Sequence, residues 1–212
     1  MMKQLIIIGA SGHGKVVADC AVKNGYEHIV FLDDDESVTH CGKYRVMGRS
    51  AEADRLPGDV IVAIGNAGFR KKIQTETDER RLVTLIHPEA VVGDDVEIGA
   101  GSVVMAGAVI NPGSRVGKGV IVNTCSSIDH DCKIGDFVHV AVGAHLAGSV
   151  EVEEASWIGA GAIINNNLRI CGSCVIGAGA VVVKDIREAG TYVGVPARRV
   201  PDEIYGRIKQ RE

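Results

Sequence analysis

One short segment places a histidine between two carboxylates, in the order Asp129, His130, Asp131. Histidine titrates near neutral pH, so its imidazole can accept a proton from an attacking group. A neighbouring carboxylate can orient the imidazole and raise its proton affinity, which suits a general base. A histidine on a protein surface is also commonly just a solvated residue. The segment therefore supplies a candidate base whose role depends on its surroundings.

A glycine-rich turn near the start of the chain has the composition of an anion-binding loop. Gly9, Gly12 and Gly14 follow an apolar segment and precede a helical pattern. Backbone N–H groups at such a helix start can bind a phosphate. The order G-x-x-G-x-G differs from the dinucleotide order G-x-G-x-x-G, which argues against a nicotinamide cofactor. A tight turn without a ligand explains the loop equally well.

Polar and small residues also follow the next two predicted strands. Asp33 and Asp34 come directly after one strand, and Gly65 with Asn66 after another. An acidic residue in this place can accept a hydrogen bond from a ribose or a base, and ligands bind at the carboxyl ends of parallel strands. Because three strand ends would converge at one edge, the sequence favours a nucleotide site over a simple turn.

Residues 1–85 contain the elements that would position these groups. Apolar runs predict strands at 3–8, 28–32 and 60–64, and helical patterns lie near 15–24 and 70–81. Alternating strands and helices predict a small, Rossmann-like α/β domain with a parallel sheet and right-handed connections.

A six-residue repeat fills residues 86–187. Every sixth residue from Ile86 to Val182 is Ile, Val or Leu, and the residue four places after each is small or apolar. One hexad can form a short strand and a corner, but it cannot bury its apolar side alone. Stacked hexads therefore predict a parallel β-solenoid with the aliphatic column inside and His130 outside. Residues 188–212 predict a terminal loop, with a short helix at 202–211.

The composition agrees with this division and excludes several classes of protein. The 212 residues include 27 glycines but only 4% aromatic residues, which suits a narrow bore filled by aliphatic side chains. A net charge of −4 is too mild for a protein that neutralises nucleic-acid phosphates. No apolar stretch approaches a membrane span or a secretory signal, so we predict a cytoplasmic protein with neither nucleic-acid nor membrane partners. Six cysteines in such a chain predict reduced thiols.

The repeat, the glycine loop and the Asp-His-Asp segment together resemble one known family. The chain is similar to the sialic acid O-acetyltransferase (NeuD/PglD-type) family of hexapeptide-repeat acetyltransferases. The matching segments cover nearly the whole chain and lie at 7–14, 31–34, 63–66, 85–87, 123–148 and 194–197.

The resemblance implies a fold and an activity. The solenoid would be a left-handed β-helix with three hexads in each coil. The protein would be a homotrimer that uses acetyl-CoA and no metal to N-acetylate a nucleotide-linked 4-amino sugar, with UDP as the first expectation. Its active sites would lie between subunits.

The resemblance also implies roles for individual residues. His130 matches the catalytic base, and Asp131 takes the place of a carboxylate that is commonly Glu in sugar N-acetyltransferases. Asn123 matches a polar residue near the reacting centre. Gly148, one coil after His130, matches a residue whose backbone N–H would bind the oxyanion. The residues that match the sugar-nucleotide site are Ser11, Gly12, His13, Asp33, Asp34 and Gly65. Those that match the acyl-donor site are His139, Gly148, Ala160 and Ala178.

Three other functions fit parts of the pattern. The same base could activate a hydroxyl, as in an O-acetyltransferase acting on a sugar such as sialic acid. His130, His139 and His145 could hold zinc as in a γ-carbonic anhydrase, although their spacing differs from that family's and the glycine-loop domain would have no role. A trimeric scaffold could bind a sugar nucleotide without catalysis.

The Cys171–Cys174 pair has CxxC spacing, but its place in the repeat favours packing over redox or zinc chemistry.

Overall fold

The computed structural model describes residues 3–201, and the predicted helix at 202–211 lies outside them. An α/β unit comes first, and the strands of a β-solenoid run from Leu85 to Val182. None of the helices within 3–201 is long and apolar enough to cross a membrane. The cytoplasmic location stays a prediction.

The N-terminal unit is built on a parallel sheet in which strand Gln4–Ile8 lies between strands His28–Leu32 and Asp59–Val62. Its elements are β1 (Gln4–Ile8), α1 (Gly12–Lys23), β2 (His28–Leu32), β3 (His40–Cys41), β4 (Tyr44–Arg45), β5 (Asp59–Val62) and α2 (Ala67–Glu76), with 3-10 turns at Ser50–Arg55 and Glu79–Arg81. Strands β3 and β4 form a separate antiparallel hairpin. Residues Leu5–Ile8 of β1 are fully buried, as expected for a central parallel strand covered on both faces.

Both helices differ from their predicted bounds for local reasons. Helix α1 begins at Gly12, three residues earlier than predicted, and includes two glycines of the loop. A Cβ on Gly14 would lie 2.2 Å from the Gly9 carbonyl oxygen, so glycine is required where the helix passes the loop. Helix α2 begins after Asn66, whose side chain accepts a hydrogen bond from Phe69 N at 3.1 Å, a standard N-cap.

The solenoid has three faces, each a sheet of parallel strands, which we call the first, second and third. The first contains strands Leu85–Ile86, Val103–Val104, Ile121–Val122, His139–Val140, Trp157–Ile158 and Val175–Ile176. The second contains Val91–Val92, Val109–Ile110, Ser127–Ile128, His145–Leu146, Ile163–Ile164 and Val181–Val182. The third contains Glu97–Ile98, Arg115–Val116, Lys133–Ile134, Glu151–Val152 and Arg169–Ile170.

Strand pairing confirms the coil of three hexads. Ile110 pairs with Ile128, and Ile128 pairs with Leu146, so each coil advances the chain by 18 residues. From Val104 to Val182, every member of the predicted aliphatic column is at most 4% exposed. The bore is therefore mainly aliphatic, and the position of this column fixes which residues lie at each corner.

The terminal segment corrects the predicted loop at 188–201. It contains two strands, Thr191–Val193 and Arg198–Val200, which pair antiparallel. Thr191 also pairs in parallel with Val175 and so extends the first face. The last coil leaves unpaired backbone groups at its edge, and an adjacent segment can satisfy them without following the hexad pattern.

The N-terminal unit packs on the first face of the solenoid. Val103, Met105 and Ile121 of that face share one hydrophobic cluster with residues of β1 and α1. The side chain of Asn24 donates to the Ile86 carbonyl oxygen at 3.0 Å. In a triangular coil, the corner between the second and third faces lies opposite the first face, and it is therefore the corner farthest from the N-terminal unit.

Candidate active site

His130 lies on that far corner, outside the bore as predicted. Its Nδ1 is 2.8 Å from Oδ2 of Asp131, and its backbone N donates to Oδ1 of Asp129 at 2.8 Å. The Asp129 carboxylate also accepts from the Asn111 amide at 2.7 Å. Asp131 has a left-handed backbone with φ of 59°, a conformation that Asp tolerates better than most residues. The imidazole is thus oriented by one carboxylate and leaves Nε2 free.

The two acids raise the proton affinity of His130. The hydrogen bond that His130 donates to Asp131, followed by the charge of Asp129, raises the pKa of His130 above its ordinary value. A higher pKa makes the imidazole a stronger base but lowers the fraction of neutral imidazole at a given acidic pH.

Replacing Asp131 by Asn tests this arrangement. The amide oxygen can still accept from Nδ1, but the stabilising charge is lost, so the pKa of His130 falls. We expect the acidic limb of kcat/KM to move to lower pH, because neutral imidazole persists further into acid. We expect kcat to fall by less than the ~10²–10⁴-fold that a general base contributes. The pH profile of Asp131→Asn measures both.

Asp136→Asn is the matched control, since Asp136 accepts from Lys118 N at 2.8 Å, away from His130. An acidic limb that stays in place in Asp131→Asn would show that His130 does not set it.

Gly148 lies directly against the His130 ring. A Cβ on Gly148 would come within 2.5 Å of His130 Nε2, so only glycine permits this contact. Among the described residues, the Gly148 N–H donates no hydrogen bond. A free N–H beside Nε2 is the arrangement that an oxyanion site needs next to a base.

A cavity of about 360 Å³ opens at the carboxyl edge of the N-terminal sheet. Of the predicted sugar-nucleotide residues, Ser11, Asp33, Asp34 and Gly65 line it, whereas Gly12 and His13 do not. Its other walls come from Ile8, Gly9, Ile64, Phe69 and Ile73. The lining is mainly apolar with two carboxylates at one side, which is typical of a small-molecule site.

Both predicted acids also have a structural function. Asp33 accepts from Ala10 N at 2.6 Å and from Asp35 N at 2.9 Å, and so ties the glycine loop to the end of β2. Asp34 accepts from the backbone and hydroxyl of Ser50. Each carboxylate therefore reaches the cavity with its orientation already fixed.

The boundary between the two parts contains a buried histidine pair. The rings of His13 and His139 are 6.2 Å apart, and His139 packs on Trp157 at 4.3 Å between centroids. The Asn123 amide lies 3.2 Å from His139 Nε2. Its oxygen accepts from Thr124 N, so its nitrogen donates to His139 and Nδ1 of His139 carries the proton. Asn123 therefore positions His139 rather than His130.

Both histidines of this pair are held neutral. Burial, with the nearby charge of Arg70, lowers the pKa of His13 to about 4. Burial first, then His13 and Arg70, lowers the pKa of His139 to about 3. Within residues 3–201, His13 Nε2 and His139 Nδ1 are the buried side-chain N/O atoms that lack a hydrogen-bond partner. Polar atoms of this kind are able to meet a polar group of a ligand or a water molecule.

The predicted catalytic residues do not come together within one chain. His130, Asp131 and Gly148 lie on the corner between the second and third faces. Asn123, Ala160 and Ala178 lie on the corner between the first and second faces, next to the face that carries the N-terminal unit. Asn123 precedes His130 by seven residues, slightly more than one hexad, and this separation places them on adjacent corners. Within one chain Asn123 therefore lies apart from the base, and its place near the reacting centre stays a prediction.

The other chemical alternatives find no support in the described residues. No group of three or more His, Cys, Asp or Glu in residues 3–201 is arranged to hold a metal ion. His139 is buried at the first face, whereas His145 is exposed and bonds to the Ser127 hydroxyl at 2.8 Å, so they do not converge with His130. Burial raises the pKa of the Cys174 thiol to about 12 and also raises that of Cys132. Cys132 and Cys174 are therefore buried packing residues, whereas Cys171 is half-buried and Cys125 is exposed and does not pack in the core.

Sequence reasoning missed two residues of the site. Phe69 lines the cavity with 64% of its surface exposed, and Arg70, next in sequence, is completely buried. An aromatic residue just after a strand end, in a chain with only three phenylalanines, was a usable signal for Phe69. No sequence signal marks Arg70, because its partners are distant backbone carbonyls.

Comparison with known proteins supports the fold and identifies a family. Residues 4–77 match the family described as the PglD N-terminal domain. UDP-N-acetylbacillosamine N-acetyltransferase of Bacillus subtilis is 35% identical over 113 residues, which are 50% of this chain and 52% of that protein. The chain thus matches about half the length of this curated relative.

Two solved structures match over almost their whole length. The acetyltransferase domain of PglB from Neisseria gonorrhoeae, in complex with acetyl coenzyme A, is 42% identical with a TM-score of 0.88, covering 94% of this chain and 100% of that one. A point mutant of perosamine N-acetyltransferase from Caulobacter crescentus, in complex with CoA and GDP-perosamine, is 32% identical with a TM-score of 0.87, covering 95% and 99%. The chain belongs to this family of sugar N-acetyltransferases, in which a PglD-type N-terminal domain precedes a parallel β-solenoid.

Proposed function

We propose that the protein transfers an acetyl group from acetyl-CoA to the amino group of a nucleotide-linked amino sugar, with His130 as general base. The observation that carries this proposal is the His130–Asp131 pair beside the free N–H of Gly148. Relatives that bind acetyl coenzyme A, or CoA with GDP-perosamine, support the donor and acceptor classes.

The cavity of the N-terminal unit fits the nucleotide part of such an acceptor. The exposed ring of Phe69 offers a surface on which a base can stack. Asp33 and Asp34 supply hydrogen-bond acceptors for a base or a ribose. Gly12, the first residue of α1, has open space around its Cα, so a diphosphate can approach the positive end of the helix. The buried His13 and His139 then lie toward the sugar.

The corner that carries Ala160 and Ala178 fits the acyl donor. Both residues are small, exposed and one coil apart, so an extended chain can lie along the corner without a steric obstacle. His139, which adjoins this corner, is neutral and can contact the donor. Burial and raised thiol pKa values make Cys132 and Cys174 poor nucleophiles, and we propose direct transfer without an acyl-enzyme intermediate.

In this proposal each residue of the dyad has a defined task. The acceptor amine, in its neutral form, attacks the thioester carbonyl, and His130 Nε2 takes the proton that the nitrogen loses. Asp131 stabilises the imidazolium that results. The Gly148 N–H donates to the oxyanion until the C–S bond breaks. His130 then returns its proton to the departing thiolate, which leaves an amide, free thiol and the original enzyme.

We also propose that the active site forms between subunits of a homotrimer. Within one chain, His130 lies on the corner opposite the face that carries the cavity, so a second copy must supply the missing half. The two corners share the second face, whose outward residues are mostly apolar and include Val91 and Ile163, exposed by 61% and 43%. The third face instead carries charged pairs, such as Lys133–Glu151 at 2.6 Å. A partner packed on the second face would bring its donor corner and cavity to His130.

A thiol-release assay tests the reaction and its acceptor. Purified protein is given acetyl-CoA with UDP-, dTDP- or GDP-linked 4-amino sugars, the matching free amino sugar, or free sialic acid. We expect turnover with the nucleotide-linked amino sugars, fastest with UDP, and little with free sugars, because the cavity binds the nucleotide. Equal activity on free sugars would rule out the proposed acceptor class. Activity on sialic acid alone would favour O-acetylation.

A further inference from the structure

Arg70 is a completely buried arginine at the junction of the N-terminal unit and the solenoid. Its guanidinium donates four hydrogen bonds, each to a backbone carbonyl oxygen. Nη1 donates to Ile64 and Gly65, both at 2.7 Å. Nε donates to Gly119 at 2.7 Å, and Nη2 to Phe137 at 2.6 Å. No carboxylate of the described residues forms an ion pair with it.

The four carbonyls belong to two parts of the molecule, the N-terminal unit and the solenoid, whose relative position must be maintained. Ile64 and Gly65 follow β5 and line the cavity of the N-terminal unit. Gly119 and Phe137 occupy one corner of two successive coils, since they are 18 residues apart. One side chain therefore joins the edge of the cavity to the solenoid beneath it.

We propose that Arg70 is a positioning residue, which holds the Ile64–Gly65 edge of the acceptor cavity on the solenoid so that the bound sugar nucleotide reaches the His13–His139 pair. A planar guanidinium with donors in a fixed fork can satisfy four carbonyls at once. Lysine has the same charge but three donors on one atom, and it cannot span this set. Only the effect of Arg70 on the KM of the acceptor depends on the proposed function.

The surroundings of Arg70 agree with this role. A Cβ on Gly65 would lie 3.9 Å from the Trp157 ring, and Trp157 packs on His139. A displacement of Gly65 would therefore change the packing of both Trp157 and His139. The guanidinium charge also helps to keep His13 and His139 neutral. Burial lowers the pKa of Arg70 to about 10, so it remains charged at neutral pH.

Arg70→Lys tests the proposal, with Arg81→Lys as the matched control. Arg81 is also bonded to three carbonyls, those of Gly58, Ala53 and Leu56, but all three lie within the N-terminal unit and outside the cavity lining. We expect Arg70→Lys to raise the KM of the nucleotide-linked acceptor ~10-fold or more, with the KM of acetyl-CoA within about twofold of wild type. Arg81→Lys should lower the melting temperature without changing this ratio of KM values.

A second readout needs no substrate and so separates this proposal from the proposed activity. Trp157 is the sole tryptophan of the chain, and its emission reports on the contact with Gly65 and His139. We expect a shift to longer wavelength in Arg70→Lys and none in Arg81→Lys. If the wild-type protein fails to transfer acetyl groups but Arg70→Lys shifts the emission of Trp157, the proposed function is wrong. The proposal that Arg70 holds the cavity edge is then still supported. Unchanged emission and unchanged acceptor KM in a folded Arg70→Lys variant would overturn the proposal.

Should Arg70→Lys not fold, the wild-type protein itself provides the test. The Nε–H of Arg70 can be followed by NMR hydrogen exchange with and without saturating UDP. If Arg70 holds the cavity edge, a ligand in the cavity must slow this exchange by linkage. An exchange rate that UDP leaves unchanged would contradict the proposal.

Discussion

Replacement of His130 by alanine is expected to lower kcat by about 10²–10⁴-fold, the usual contribution of a positioned general base. The KM values for acetyl-CoA and for the acceptor should change little, because His130 lies outside the acceptor cavity and acts only on the proton that the amine loses. The variant should fold normally. The imidazole is exposed on a corner, and the aliphatic bore beneath it is unaffected. Steady-state kinetics and thermal unfolding measure both expectations.

His40→Ala is the control for this experiment. His40 is also an exposed histidine, but it lies on the β3–β4 hairpin and its ring nitrogen contacts Thr39. Its loss should leave kcat unchanged. Normal turnover in His130→Ala would show that His130 is not the general base.

The second large effect concerns complementation between two inactive subunits. Gly12→Asp should abolish acceptor binding, because its carboxylate would repel a diphosphate at the start of α1. It should still fold, since a Cβ there meets no atom within 4 Å and an acidic residue stabilises a helix N-terminus. His130→Ala retains the cavity but lacks the base. Co-expressed with different tags and purified through both, the two variants should regain activity.

The size of the recovery follows from the assembly. In a trimer that contains both variants and has its sites between neighbours, one interface in three, about a third of all sites, pairs an intact cavity with an intact His130. Each variant alone should remain at background. Hybrids that contain both tags but stay inactive would show that cavity and base of the same chain cooperate, and failure to obtain hybrids would argue against the trimer.

The solenoid was predictable because its determinants are local. A hexad has one inward position that is always aliphatic, so the sequence period alone locates the column from Ile86 to Val182. The same period places His130 on the surface beside Asp131. The strands of the N-terminal unit were equally visible, since each is a short apolar run that ends in polar or small residues.

The terminal segment and the start of α1 were not predictable in this way. Thr191–Val193 is a strand because the last coil offers it a free edge, not because of its own pattern. Gly12 and Gly14 have low helix propensity, so the sequence predicts that the loop continues past them. Tertiary packing overrides that propensity, since Gly14 must pass close to the Gly9 carbonyl.

What the sequence by itself determined is the identity of the chemical groups and the order in which they follow one another: a histidine beside a carboxylate, a glycine-rich helix start and an aliphatic repeat. Only the tertiary structure decided how these groups are distributed in space. The carbonyl partners Gly119 and Phe137 lie 49 and 67 residues from Arg70, and no local pattern encodes such contacts. The separation of His130 from the cavity likewise depends on which solenoid face the N-terminal unit covers. Packing of Val103, Met105 and Ile121 against β1 and α1 selects that face, because it buries their apolar surface.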